Sequence, residues 1–587
     1  MSDHGRLAGM DTDVWTQDQI DAGIRIHGMH NLPYGVIRIP NIETEVCIID
    51  VASGNVAMTV PLELRAMNGR LSGEDVYSFE FTTLTTPGIY KAYLPGVGIS
   101  DEFEINDDVY QAAAVTAART FYHQRSGMAL EAPFADFRFT RPENHWFTGG
   151  PNNSVVGGWY HSSIADSALY SGEAVFQADV EAAAPVLNRD PGTALDLTGG
   201  WCDAGDYGRY TPTAAAAVWQ LLTAYELAPT RFPDNLWNIP ESGNGISDLL
   251  DEVRYETDWL IKMQDPTDGG VYHKLTRSGF DVGLPHEDPR AQFLFEKTTH
   301  GTAIFAATMA LSSRVFEPID ANLAATYLQR AELAWQFLEN HPSETPEGGF
   351  FNPSYPLTGE YNDDNDYDNR LWAAAELYRT TGQSAYRTFF EDWYNDPETD
   401  PPDQQGQPDW KHHYMKAYWA YQATTHPTDA ALQQELRDEF FIRSADEQLI
   451  PRLENNTYHE SARSDVPIFF GYGSHSRSLT YAFPLLQAFY LTGDQQYFDA
   501  AAVNANTQFG ANPLSMSFVT GIGDRYPMRP LHTPSISDDV SEPFPGLPVF
   551  GVTTHMSNGH WTGRYTSARQ PTRRTLHGLR QRLGWLS

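Results

Sequence analysis

The chain has 587 residues, 41% of them hydrophobic, enough for a large buried core and for more than one domain. Its 76 acidic residues against 39 basic ones give a formal charge of −37, which opposes binding to nucleic acid or to an anionic membrane surface. The two cysteines, Cys47 and Cys202, lie far apart in the chain; they make neither a disulfide framework nor a metal-ligand cluster and read as free thiols.

Residues 1–19 read as a tail. The opening "MSDHGRLAGMDTDVW" lacks the apolar stretch of an export signal, and no later run reaches the ~18 apolar residues of a membrane span. The expectation is a cytoplasmic protein as written. From 20 to 106 the pattern is short and alternating: "GVIRIP", "EVCIIDV", "VYSFEFTTL", "GIYKAYL" and "DEFEI" are separated by turn residues such as "SGN" and "TTPG". This predicts a small β-sandwich without a catalytic cluster.

At Asp107 the period changes from two to about 3.6. "DDVYQAAAVTAARTFYHQRSG" predicts a helix closed at Gly127, and residues 128–191 read as a long excursion rich in Pro, Gly and Asn. Helical segments then follow one another at 213–227, 246–264, 302–316, 323–340, 370–382, 384–395, 411–424, 429–449, 476–493 and 495–509. Each has an apolar face and several pairs are joined by tight turns, which predicts a closed barrel of helical hairpins over 107–560. The intervening loops, "PTDGGVYHK", "PEGGFFNPSYP", "FFGYGSHSRS" and "GANPLSMSFVTGIG", collect aromatic and polar residues suited to stacking and hydrogen bonding sugar rings.

Where the excursion returns, "GGWCDAGDYGRY" places Asp203 and Asp206 three residues apart among glycines and aromatic residues. Breaking a glycosidic bond usually requires two carboxyl groups, one protonating the leaving oxygen and one activating water or attacking the sugar. Asp203 and Asp206 are too close in sequence to flank a bond from opposite sides, but they can act on one water. The competing structural reading makes the pair a turn that caps a helix starting near Tyr207.

"DLTGGWCDAGDYGRY" closely resembles the signature of glycoside hydrolase family nine, the cellulase family. "TAARTFYHQRSG", "IPESGNGISDLLDE", "WLIKMQDPTDGGVYHK", "RLWAAAELYRTTG" and "GANPLSMSFVTGIGDRYP" resemble that family's segments in the same order, over about residues 20–555. The resemblance implies an N-terminal immunoglobulin-like sandwich followed by an all-α (α/α)6 barrel. It also implies inverting hydrolysis of β-1,4-linked glucan, with Asp206 as general base and Asp203 as its partner on the water. Trp201, Tyr207 and His532, the last in "RPLHTPS", are the candidate substrate contacts.

The sequence departs from the family at Cys202, where Tyr is usual, and at Thr533, where Arg is common. It departs most at the general acid, a glutamate near the family's C-terminus. After Glu542 the chain has no acidic residue, and Glu542 in "SEPFPG" does not resemble the acid motif, so the acid is unassigned. The last stretch, 561–587, carries Arg564, Arg569, Arg573, Arg574, Arg580 and Arg582. It reads as a tail out of the family's frame from about Trp561, or else as a basic segment for an anionic partner.

The chain is therefore expected to be a cellulase-type hydrolase of impaired activity acting on oligo- or polysaccharide. The alternatives are an exo-acting β-glucosidase or β-glucosaminidase, and a non-catalytic carbohydrate-binding remnant. No cofactor is expected, and no metal site is assigned. The acidic run "YNDDNDYDN" lacks an EF-hand pattern, although the family resemblance admits a structural calcium in such loops. Secretion is the alternative location that the resemblance implies. The oligomeric state is not legible from the residues.

Overall fold

The computed structural model describes residues 45–66, 75–144, 156–159, 196–277, 279–280, 283–287, 292–352, 358–396, 402, 408–461, 480–512 and 514–549. The N-terminal tail, the "GVIRIP" run, the "FFGYGSHSRS" loop and the basic tail therefore lie outside the described residues. Two compact units emerge, one of residues 1–117, 443–530 and 545–587, the other of residues 118–442 and 531–544.

The first unit holds the predicted strands. Glu45–Asp50 pairs antiparallel with Val56–Pro61 on one side and Gly88–Leu94 on the other, and Gly98–Ile99 and Phe103–Ile105 complete a five-stranded sheet. Glu63–Ala66 and Val76–Ser78 form a separate ribbon. Alternation explains which face is buried: Val46 and Ile48 point into the core with Tyr90, Ala92 and Leu94, while the residues between them are more exposed. Within the same unit, Arg65 donates to the carbonyls of Leu453 (2.9 Å) and Asn456 (2.7 Å). The cation thereby satisfies carbonyls at the C-terminus of the Ile450–Asn455 helix. The Ala482–Thr492 and Gln495–Gln508 helices pack there on Leu449, Leu485, Ala488 and Ala500.

In the second unit the helices alternate between inner and outer positions. Thr211–Leu227, Thr299–Phe316, Tyr367–Thr381 and Tyr414–Gln422 pack successively on one another. Asp248–Lys262, Ala321–Asn340 and Ser384–Asn395 pack outside the first three. Composition accounts for the division. In Thr299–Phe316 every residue but Arg314 is buried, as a helix surrounded by other helices requires, and small Ala and Thr allow the close approach. Ala321–Asn340 instead buries one stripe, Ala324, Tyr327, Ala331, Ala334, Trp335 and Leu338, at three- and four-residue spacing. Asp320 caps its first turn, accepting from Asn322 (3.1 Å) and Leu323 (3.0 Å).

One feature has no periodic signal in the sequence. Very short strands, Arg209–Tyr210, Lys274–Thr276, Gln292–Leu294 and Val156–Trp159, form a four-stranded sheet in which Lys274 faces Tyr210 in register. Strands of two to four residues fall below the length at which alternation can be read. They join the carboxylate motif to the "GGVYHK" loop.

The inner helices should be the most sensitive to truncation. Leu377→Ala, at a fully buried position, is expected to cost about 2–5 kcal/mol. Leu64→Ala, at a position 46% exposed, should stay within about 0.5 kcal/mol. Urea titrations of the two variants against the parent measure the contrast.

Candidate active site

The 199–210 segment is a tight turn laid on buried polar groups. Ser126 N–H donates to the Gly200 carbonyl (2.8 Å) and Cys202 N–H to that of Gln124 (2.8 Å), while the Asp203 N–H closes the turn on the Gly208 carbonyl (2.9 Å). Gly200 has φ +73°, and a Cβ there would lie 2.7 Å from the Trp259 ring. A Cβ on Gly205 would lie 2.0 Å from the Leu531 carbonyl oxygen, so only glycine lets the 531–533 segment reach the turn. There the Thr533 N–H donates to the Gly205 carbonyl (2.8 Å).

Beneath the turn lies a buried charge network. Arg125 is fully buried and makes a bidentate pair with Glu252 (2.9 and 2.9 Å) and another with Glu241 (2.9 and 3.0 Å). Glu252 also accepts the Trp201 indole N–H (2.8 Å), and Glu256 accepts the Trp201 backbone N–H (2.5 Å). Arg209 donates to the carbonyls of Leu197 and Gly199, both at 2.6 Å. Burial pushes the Glu256 carboxyl up to about 8, against the opposing effect of the Trp201 N–H and the charge of Arg209.

Asp203 and Asp206 are both part-buried on this turn, and each is held by a tyrosine. Tyr210 donates to Asp206 Oδ2 (2.9 Å), which also accepts from the Gly208 N–H (3.2 Å). Tyr361 donates to Asp203 Oδ2, and Thr213 adds a second hydrogen bond to that carboxylate. Burial raises the pKa of Asp203, while the bonds from Thr213 and Tyr361 work against the rise. The helix-cap reading does not hold. The next helix begins at Thr211, its N-cap residue is Tyr210, and no side chain caps it.

The three candidate substrate contacts all have protein partners. Trp201 is 6% exposed, packs on Phe121 (4.5 Å between centroids) and spends its N–H on Glu252, so it supports the turn from below. Tyr207 is 3% exposed and donates to the Gly283 carbonyl (2.8 Å). His532 is 3% exposed, with Nε2 on Gln124 Oε1 (3.2 Å) and Nδ1 on Ser535 Oγ (2.8 Å). Burial pushes its pKa down to about 3, so it is a neutral brace for the segment that touches Gly205. Two further side chains bear on the site. His273, in the "GGVYHK" loop, is buried, bonded to the Glu360 carbonyl (2.7 Å) and stacked on Phe350. Glu542 is exposed and bonded to Ser541 (2.7 Å), which lowers its pKa, the opposite of what a general acid requires.

The acidic run holds its own cation. Lys411 Nζ lies 2.9 Å from Asp364 and 3.8 Å from Asp363, and Arg370 pairs with Asp366 at 2.8 Å. Among the described residues no group of three His, Cys, Asp or Glu is placed to hold a metal ion. An ammonium thus stands among these carboxylates. Neither cysteine takes part in a disulfide.

Sequence reasoning passed over Tyr361, Lys274, Glu252 and Glu256. Tyr361 opens the acidic run, and Lys274 is one of only six lysines, a rarity that could have singled it out.

The model of glycosyl hydrolase family 9 matches residues 110–578. A xyloglucan-specific endo-β-1,4-glucanase of Bacteroides ovatus is 30% identical over 525 residues, covering 88% of this chain and 82% of that protein. A cellodextrinase of Butyrivibrio fibrisolvens is 31% identical over 492 residues, covering 81% and 80%. The solved structure of a metagenome-derived glycoside hydrolase family 9 endoglucanase is 32% identical with a TM-score of 0.73, covering 88% of this chain and 86% of that one. Strands gathered in sheets ahead of a helical (α/α)6 body agree with the expected fold class.

The protonation of Glu256 predicts a pH dependence of stability. Its pKa in the folded chain, about 8, exceeds the ordinary carboxyl value, so folding binds a proton and stability falls as pH rises between those values. The slope is about 1.4 kcal/mol per pH unit for one proton. Glu256→Gln is neutral at every pH and should flatten that part of the curve, as melts at pH 5, 6.5 and 8 would record.

Proposed function

The chain belongs to glycosyl hydrolase family 9, and on that premise we propose that it hydrolyses β-1,4-linked glucan with inversion at the anomeric carbon. The observation that carries this reading is the pair Asp203 and Asp206 side by side on one turn, each gripped by a tyrosine. In this reading Asp206 takes a proton from water while Asp203 holds the other hydrogen. The water oxygen bonds to C1 as the glycosidic C–O bond breaks on the opposite face. The leaving oxygen takes a proton from a general acid, and inversion places acid and base ~6.5–9.5 Å apart to admit the water.

The hydrogen bonds suit this division of labour. Tyr210 and the Gly208 N–H both donate to Asp206 Oδ2 and orient the carboxylate. Tyr361 and Thr213 hold Asp203 rigid beside it. Glu542, the last acidic residue of the chain, is an exposed carboxylate held below its ordinary pKa, which does not suit a general acid. Turnover should therefore depend strongly on the leaving group.

The names of the relatives keep both endo-acting and short-chain substrates in view, since one is called an endo-β-1,4-glucanase and another a cellodextrinase. Viscosity loss of carboxymethylcellulose, set against sugar release from cellobiose or chitobiose, separates internal from terminal cleavage.

With β-cellobiosyl fluoride, whose leaving group needs little protonation, the chain should release the α-anomer, readable by proton NMR. Asp206→Ala should lower that rate about 10²–10⁴-fold. Retained sugar binding with no fluoride turnover by the unaltered chain would favour a binding remnant instead.

A further inference from the structure

Lys274 is fully buried on the Lys274–Thr276 strand, directly opposite Tyr210 in the sheet. Its Nζ meets three acceptors, Asn352 Oδ1 (2.5 Å), Thr358 Oγ1 (3.0 Å) and the Gly359 carbonyl (2.7 Å). That number matches the three hydrogens of an ammonium. The Phe295 ring covers the cation, with its centroid 4.5 Å away.

What the ammonium grips is the short segment 358–361, and this segment reaches both carboxylates. The Gly359 N–H donates to Tyr210 Oη (3.2 Å), and the same hydroxyl donates to Asp206. Two residues on, Tyr361 donates to Asp203. Tyr361 has φ +46°, a left-handed conformation that a side chain as large as tyrosine rarely adopts, so surrounding contacts must impose it. Those contacts are on both sides: the Glu360 carbonyl is held by His273 (2.7 Å), the Glu360 carboxylate by the Asn352 N–H (2.9 Å), and the Tyr361 ring stands edge-on to Tyr210 (4.8 Å). Asn352 also donates to the Thr358 carbonyl (2.7 Å), closing the clamp from the other end.

We propose that Lys274 is a positioning residue for the carboxylate pair: its ammonium clamps residues 358–361 so that the Tyr210 and Tyr361 hydroxyls hold Asp206 and Asp203 in place. The inference rests on the proposed role of that pair. Its magnitude follows from how sharply reactivity depends on placement, a shift of ~1 Å costing on the order of 100-fold.

The test uses the full chain and calorimetric binding of two probes, a cationic cellobiose-like iminosugar and neutral cellotetraose. The ammonium of the iminosugar reports the placement of the carboxylates, and cellotetraose reports the rest of the cleft. Lys274→Met and Asn352→Ala should each weaken the iminosugar about tenfold, with cellotetraose within about twofold. Asn352→Ala keeps the buried charge and loses the clamp, so its loss separates geometry from electrostatics. It also decides the matter if Lys274→Met does not fold by its melting temperature. Unchanged iminosugar affinity in a folded variant, or equal weakening of both probes, overturns the clamp. Asp206→Ala is the control on the underlying reading: undiminished iminosugar binding there means the site assignment fails, independently of Lys274.

Discussion

The Arg125–Glu252 pair is the interaction on which the site depends. Both side chains are fully buried, and the pair is tied to the carboxylate turn through the Trp201 indole. Removing one partner of such a pair strands a charge in low dielectric, at a cost of about 3–5 kcal/mol. The guanidinium fork fixes the orientation of Glu252, Glu252 fixes Trp201, and Trp201 is two residues before Asp203. The turn is thereby held to the Asp248–Lys262 helix, which carries both Glu252 and Glu256.

Above that foundation the two carboxylates differ by environment and not by residue type. Asp206 takes a backbone N–H and a phenol on one oxygen. Asp203 takes a phenol from a different part of the chain and a hydroxyl from the first turn of the next helix. Two identical side chains three residues apart are thus given separate partners. A chemistry in which one carboxylate accepts a proton and the other orients the water needs that separation.

Much of this was legible in the residues. Periodicity marked the outer helices because their burial repeats at three and four residues, as in Ala324, Tyr327, Ala331 and Ala334. The strands of the sheet showed in the alternation of Val46 and Ile48. Asp203 and Asp206 were singled out by their company of glycines. The protein partners of Trp201, Tyr207 and His532 were not legible for one reason. An aromatic or imidazole ring beside a catalytic motif can face substrate or protein, and sequence spacing carries no information on which. Tyr361 and Lys274 were missed because they lie about 158 and 70 residues from the carboxylates, Tyr361 in an irregular segment and Lys274 on a strand too short to leave a pattern.

The sequence by itself determined the element types, the alternation of buried and exposed faces, the family and the candidate carboxylate pair. These follow from local periodicity and from a motif contained in a dozen residues. Only the tertiary structure decided which polar groups stand around that pair. Hydrogen-bond partners such as Tyr361 on Asp203, Lys274 on Gly359 and Gln124 on His532 are brought together by chain folding across long separations. Their protonation then follows from burial, a property of the packed molecule and not of the residue: Glu256 retains its proton to about pH 8, and His532 stays neutral down to about pH 3.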